Sequence, residues 1–262
     1  MSNRLLASTD SGTLARIRPK LVRVELALRE VIYREDGPIE FAYFIESGMS
    51  SMVNNLADGM QAEAGLIGRE GMTGISLISG VATSFIEAIV VMPGTALRMS
   101  ARDLRHEANE NLAFRTLLLR YEVAWQAQIM QTAACNRRHG LEQRLACWLL
   151  MSHDRVDRDD LPLTQEFIAM MLGVHRPSIT VAARALQRAD LIRYASGRVT
   201  ITDRAGLEAA SCECYSKVRR RFDTLLGSAA LAHAIAPVAP VAGVPPGRLT
   251  AGHQTVCHSV RH

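Results

Sequence analysis

The 262-residue sequence has no cysteine in its amino-terminal half; its five are Cys135, Cys147, Cys212, Cys214 and Cys257. An odd, scattered set argues for reduced thiols and against a disulfide framework. Cys212-Glu213-Cys214 brings two thiols close without a second pair, so even with a distant histidine it is a weak metal signal, and no metal or cofactor is assigned. GxSxG, HExxH, P-loop and paired CxxC patterns are also missing, and no acid or nucleophile stands beside His175. These absences weigh against an enzyme. No apolar run is long enough to cross a bilayer, and Met1 to Thr9 has no apolar core of the secretory kind. A cytoplasmic protein without a membrane partner is therefore expected.

What is present is uneven. The net charge is +4, yet residues 137–222 carry fifteen Lys/Arg against ten Asp/Glu. That basic surplus surrounds Leu163 to Ile201. Thr164 stands where an N-cap oxygen is wanted, and Phe167, Ile168, Met171 and Leu172 follow at helical spacing. Gly173 supplies the turn. A second helix is expected from Arg176, with Pro177 tolerated in its first turn and Ile179, Ala182, Ala183 and Leu186 as the buried stripe. Its opposite face carries Arg176, Ser178, Thr180, Val181, Arg184 and Arg188. Arginine bonds guanine in bidentate fashion, Ser and Thr bond bases or phosphates, and valine meets a thymine methyl. Ser196-Gly197 then joins two alternating runs as a hairpin, with Arg193 and Arg198 suited to phosphates. The order reads as a winged helix-turn-helix binding double-stranded DNA through Thr164, Gln165, His175, Arg176, Ser178, Thr180, Val181, Arg184, Arg193 and Arg198. The plainer alternative is a helical hairpin with a solvated basic face.

From Leu21 to Met99 the texture changes to short apolar or alternating runs. These are Leu26 to Tyr33, Ala42 to Ile45, Gly48 to Asn54, Ala62 to Ile67, Glu87 to Val91 and Thr95 to Met99. Turn residues separate them at Asp36-Gly37-Pro38, Asp58-Gly59, Gly68 to Gly71 and Pro93-Gly94. Many short strands at this spacing predict an antiparallel barrel or jelly roll. Asn109 to Ala134 has neither proline nor glycine and reads as one long helix. Phe114, Leu117, Tyr121, Ala124 and Gln128 recur at three- and four-residue steps, as a and d positions of a dimer seam would. The same spacing also fits a helix packed on its own barrel. Beyond Phe222, the Ala/Pro/Val-rich stretch and scattered histidines read as a disordered tail. The fold class expected is α+β: a barrel over residues 1–108, a dimerisation helix over 109–136, a winged helix-turn-helix over 137–222 and the tail over 223–262.

Residues 163–201 resemble the winged helix-turn-helix of the Crp/Fnr superfamily of bacterial regulators, especially its alphaproteobacterial branch. Glu142 to Met151 and Asp203 to Glu208 extend the likeness, and Tyr43 to Gly48 and Gly68 to Gly74 resemble the family's sensor barrel. The resemblance implies a homodimeric transcription regulator on a pseudo-palindromic operator, with RNA polymerase and a small-molecule effector as further partners. The family pattern puts Glu where this chain has Pro177, and Arg where it has Val181, so a different half-site is implied. Members that bind cyclic nucleotides carry a glutamate after the equivalent of Gly74 and an arginine near Ala82-Thr83-Ser84. Here Ile75 follows Gly74, and no Lys or Arg occurs between Arg69 and Arg98. A response to cyclic AMP is not expected, and Gly74, Ile75, Thr83 and Ser84 are the candidate effector pocket. The competing reading is a ligand- or partner-binding module with weak or lost DNA affinity.

Overall fold

The computed structural model describes residues 1–57 and 59–227. The chain opens with two short helices, α1 (Arg4–Ala7) and α2 (Ser11–Ile17), which the sequence reading did not foresee. Asn3 caps α1, and its buried amide donates to Ile45 O and Gly71 O at 2.8 and 2.7 Å, which pins the amino terminus to the barrel.

The barrel is an antiparallel sheet of β1 (Val22–Leu26), β2 (Val31–Tyr33), β3 (Phe41–Asn55), β4 (Gln61–Ile67), β5 (Met72–Thr73) and β6 (Glu87–Ser100). Its path is β1-β6-β3-β4, with β2 on β6 and β5 on β3. Three expected boundaries move. Leu26 to Tyr33 is not one strand, because the chain turns through Arg29, whose φ is +66°. The runs on either side of Ser47 are a single strand, and so are the runs on either side of Pro93-Gly94. That Pro-Gly pair is a point where β3 and β6 bend together. A Cβ on Gly94 would overlap Ser47 O, and one on Gly48, at φ +78°, would lie 2.6 Å from Met92 O. Proline is tolerated in a strand at such a bulge.

After the barrel come α3 (Ala101–Glu110), capped by Ser100, and α4 (Leu112–Arg138), capped by Asn111. The expected long helix is therefore real but starts later, because the Asn111 side chain accepts from Phe114 N and interrupts the run. The remaining elements are α5 (Leu141–His153), β7 (Asp160–Leu161), α6 (Gln165–Leu172), α7 (Arg176–Arg188), β8 (Ile192–Ala195), β9 (Arg198–Ile201), α8 (Arg204–Ala210) and α9 (Cys214–Leu226). Helix α9 runs past Phe222, so the expected start of the tail at 223 is corrected. Phe222 and Leu226 are buried, and the Phe222 ring lies 6.4 Å from that of Tyr121. The rest of the expected tail lies outside the described residues.

Two apolar cores result. One gathers the barrel interior with α4 and α9; the other gathers the carboxy-terminal domain and reaches into the barrel at Met49, Val53, Leu66, Val91 and Met92. At that junction Glu63 is buried. Its oxygens accept from Ser51 Oγ at 2.8 Å and from Trp148 Nε1 of α5 at 3.1 Å. A second polar link runs through Arg155, which bonds the Glu70 carboxylate at 2.7 Å and Gln128 Oε1 at 3.2 Å.

Burial pushes the Glu63 carboxyl up to about 7 from its ordinary 4.5, despite the hydrogen bonds and the Arg155 charge that oppose the rise. Folding thus favours the protonated form, so its contribution is complete below about pH 4.5 and is lost as pH rises through 7. The rise corresponds to about 3 kcal/mol. Glu63→Gln removes the charge while its Oε1 accepts from Trp148 Nε1 and its Nε2 donates to Ser51 Oγ, reversing that bond. It should raise the melting temperature at pH 8 and leave it unchanged at about pH 4.5; an equal change at both pH values would refute the assignment.

Candidate nucleic-acid interface

Helix α6 begins where Thr164 Oγ1 accepts from Phe167 N at 3.2 Å, and it ends at Gly173, whose φ of +62° lets Val174 N reach back to Ala169 O. The turn delivers His175 to the N-cap position of α7, exposed and without a side-chain cap. Pro177 sits in the first turn, and Ile179, Ala182, Ala183 and Leu186 are buried beneath. The outward face carries Arg176, Ser178, Val181, Arg184 and Arg188, with Val181 64% exposed. Val181 therefore stands in solvent among the basic side chains of this face.

The wing is β8 and β9 joined at Ser196 and Gly197, both in the left-handed region at φ +50° and +73°. This is the turn that lets a two-residue hairpin follow the strand twist. Tyr194 N donates to Gln187 Oε1 at 2.6 Å, fixing the wing to α7. Arg193 and Arg198 are exposed along it.

Not all of the expected contact residues stand free. Thr180 is half-buried and donates to Gln165 Oε1 at 2.7 Å, so its hydroxyl proton is engaged within the fold and orients the Gln165 amide. Arg176 pairs with Glu166 at 2.8 Å, and Arg198 with Asp160 at 2.6 Å. The partners Glu166, Asp160 and Gln187 were missed by the sequence reading. Glu166 was within reach, ten residues before Arg176; Asp160 became a neighbour only through the β7–β9 pairing.

The expected dimer seam is overturned. Phe114, Leu117, Tyr121, Ala124 and Gln128 are all at most 2% exposed, packed inside their own protomer. Tyr121 donates to Met72 O at 2.8 Å and Gln128 Nε2 to Leu66 O at 2.9 Å, both on the barrel. The spacing was right for an amphipathic helix, but the barrel is what covers that face. The free apolar positions are Leu112, Leu119, Val123 and Met130, all at least 40% exposed. With Thr116, Gln126 and Ala133 between and after them they recur in alternating steps of four and three.

The candidate effector residues have separate tasks. Ile75 is buried in the barrel core, and Thr83 is exposed, its backbone bridged to Pro38. The Ser84 hydroxyl donates to Ile86 O at 2.5 Å. Gly74 N donates to the buried Tyr33 hydroxyl at 3.3 Å, which in turn donates to Met52 Sδ at 3.6 Å. Tyr33 and Met52 thereby occupy barrel interior beside Gly74.

A six-stranded barrel, a long helix and a carboxy-terminal winged helix-turn-helix define an α+β protein. Residues 143–210 match the family described as the Crp-like helix-turn-helix domain. The solved structure of FixK2 from Bradyrhizobium japonicum aligns at 16% identity over 73% of this chain and 98% of that one, TM-score 0.64. TTHB099, a CRP-family transcriptional regulator from Thermus thermophilus, aligns at 23% identity over 72% and 96%, TM-score 0.59. The c-di-GMP-responsive global regulator CLP of Xanthomonas campestris aligns at 16% over 73% and 99%, TM-score 0.59. Among curated protein sequences none matches the chain. The fold resembles that of these solved regulators, and its carboxy-terminal part matches the Crp-like helix-turn-helix domain over residues 143–210. Among the described residues, no helix is long and apolar enough to cross a membrane.

Cyclic AMP at micromolar concentration should leave the melting temperature unchanged, because the barrel offers its phosphate no cation between Arg69 and Arg98. A saturable upward shift in differential scanning fluorimetry would contradict this.

Proposed function

We propose that this chain is a homodimeric, sequence-specific transcription regulator whose α7 enters the major groove of double-stranded DNA. The observation that carries the reading is the exposed side of α7, where Arg176, Ser178, Val181 and Arg184 share one face above a buried apolar stripe. Arg176 and Ser178 sit in the first turn and reach deepest; Arg184 and the wing arginines Arg193 and Arg198 lie nearer the phosphates. Pro177 cannot bond a base edge, so discrimination falls on Arg176, Ser178 and the thymine methyl available to Val181.

The dimer is assigned to the outer face of α4, through Leu112, Leu119, Val123 and Met130. The heptad spacing of this stripe and its exposure support the pairing. A two-fold axis along α4 would present two copies of α7 to half-sites about one helical turn apart, about 34 Å. The basic surplus then doubles, which makes binding salt-sensitive.

Arg176→Ala should cost about 1–3 kcal/mol on the cognate site if the side chain reads a guanine. Arg198→Ala should weaken binding evenly across sequences and flatten the salt dependence. Fluorescence anisotropy against specific and random duplexes separates the two effects, and equal losses on both duplexes for both variants would refute this division of labour. Unchanged promoter binding by Arg176→Ala/Arg184→Ala would sink the DNA-binding reading itself. Leu119→Lys/Val123→Lys should give a folded monomer with weak operator binding, while Tyr121→Lys should unfold the protomer. A dimeric Leu119→Lys/Val123→Lys in sedimentation would move the interface elsewhere.

A further inference from the structure

Four side chains outside the DNA-facing surface converge on one point. Cys135 and His139 lie one turn apart at the end of α4, and Cys212 and Cys214 flank Glu213 where the chain passes from α8 to α9. One donor atom from each of the four lies within 4.8 Å of every other. Cys135 Sγ is 3.5 Å from Cys212 Sγ, and Cys214 Sγ is 3.5 Å from His139 Nδ1. Tetrahedral bonds of about 2.3 Å to sulfur and about 2.0 Å to nitrogen would hold such atoms about 3.5–3.8 Å apart. Three of the four residues are cysteines at most 7% exposed, so water has little access.

The surroundings are those of a metal site. Glu213 Oε2 lies 3.3 Å from His139 Nε2, which places the imidazole N–H on the carboxylate and turns the Nδ1 lone pair toward Cys214. A carboxylate on the far nitrogen is the usual outer partner of a ligating histidine. Gln131 Nε2 donates to Cys214 Sγ at 3.1 Å, a bond that a thiolate accepts well. The Arg144 guanidinium interacts electrostatically with Cys135 and Cys212, and its buried Nε has no hydrogen-bond partner. The guanidinium is half-buried and also donates to Leu172 O at 2.6 Å, so the enclosed Nε is the donor left over, and a negative neighbour would suit it. Three thiolates, a neutral imidazole and a dication carry one net negative charge, which Arg144 offsets.

We infer that Cys135, His139, Cys212 and Cys214 bind one zinc ion per chain at a structural site that clamps both ends of the DNA-binding domain. Thiolates with one imidazole in a closed tetrahedral set select zinc, and a full protein shell leaves no position for substrate. The ion enters as Zn²⁺, forms three bonds to sulfur and one to nitrogen, and releases three thiol protons to solvent without change of oxidation state. The helix-turn-helix domain leaves α4 at His139 and returns at Cys212, so one ion closes the loop that contains it. Cys147 of α5 lies beside Cys212 but outside the set of four.

Full-length protein made without a histidine tag and exchanged into metal-free buffer should retain one zinc per chain by plasma mass spectrometry. Replaced by cobalt, the site should give the visible bands of tetrahedral Co²⁺ with thiolate-to-metal charge transfer. Cys212→Ser/Cys214→Ser should lose both signals and His139→Ala should hold the ion more weakly. His139→Cys, Cys147→Ser and His253→Ala/His258→Ala/His262→Ala should keep it. Should the double-cysteine variant fail to fold, the His139→Ala and His139→Cys pair carries the test. Folded wild-type protein with neither zinc nor a charge-transfer band, a Cys135–Cys212 disulfide, or iron in place of zinc would each overturn the assignment.

Discussion

A helix that must bury one face in its own protomer cannot offer that face to a partner, and this constraint on α4 organises the molecule. Tyr121 is the clearest expression of it. Its ring fills the space above Gly71, where even a Cβ would overlap it, and its hydroxyl satisfies Met72 O on the edge of the barrel. Gln128 does the same one step further with Leu66 O. These two polar bonds fix the rotation of α4 about its own axis. Once that rotation is set, Leu112, Leu119, Val123 and Met130 can point nowhere but outward, and the proposed dimer axis follows from them.

The same constraint explains which parts of the fold were legible in the sequence. Local signals translated directly: Gly173 needs a left-handed φ, Ser196-Gly197 needs two, and Pro177, which lacks an N–H, needs a first-turn position where none is called for, and each stands where its conformation is required. Spacing along α4 identified an apolar face but not its occupant, because heptad steps describe the helix and not what covers it. With apolar residues on both faces, the inner and outer stripes looked alike in one dimension. Pro93-Gly94 misled for the opposite reason. The pair usually closes a turn, yet here the approach of Ser47 O forces glycine into a bend within a long strand. The cysteines were the least readable of all, since Cys135 and Cys212 are separated by 77 positions and meet only when α9 folds back on α4.

At the proposed DNA-binding face, two arginines, Arg176 and Arg198, are held in ion pairs on a half-exposed surface. Arg176 with Glu166 and Arg198 with Asp160 are pairs of a kind worth at most about 1 kcal/mol in water, so exchanging the carboxylate for a phosphate or a guanine edge costs little. What they contribute is order. Each side chain is held in place before an encounter, and the acid reduces nonspecific attraction because it competes with phosphate for the same guanidinium. The hydrogen bond from Thr180 to Gln165 acts in the same sense, locking the first residue of α6 to the face of α7.

The junction between barrel and DNA-binding domain is where these threads meet. Apolar residues of β3, β4 and β6 belong to the same core as α5, and Trp148 reaches across that core to bond Glu63. A core continuous across the junction transmits displacement, because close-packed side chains cannot slide without opening voids. The buried polar bonds of Glu63, Gln128 and Arg155 then define which relative placements are permitted, since any other leaves a donor or a charge unpaired. At the cysteine cluster the end of α4 meets the α8–α9 link. In the proposed dimer α7 has to be held at a set distance from its two-fold mate, and the proposed zinc clamp would serve that by tying the domain's entry to its exit.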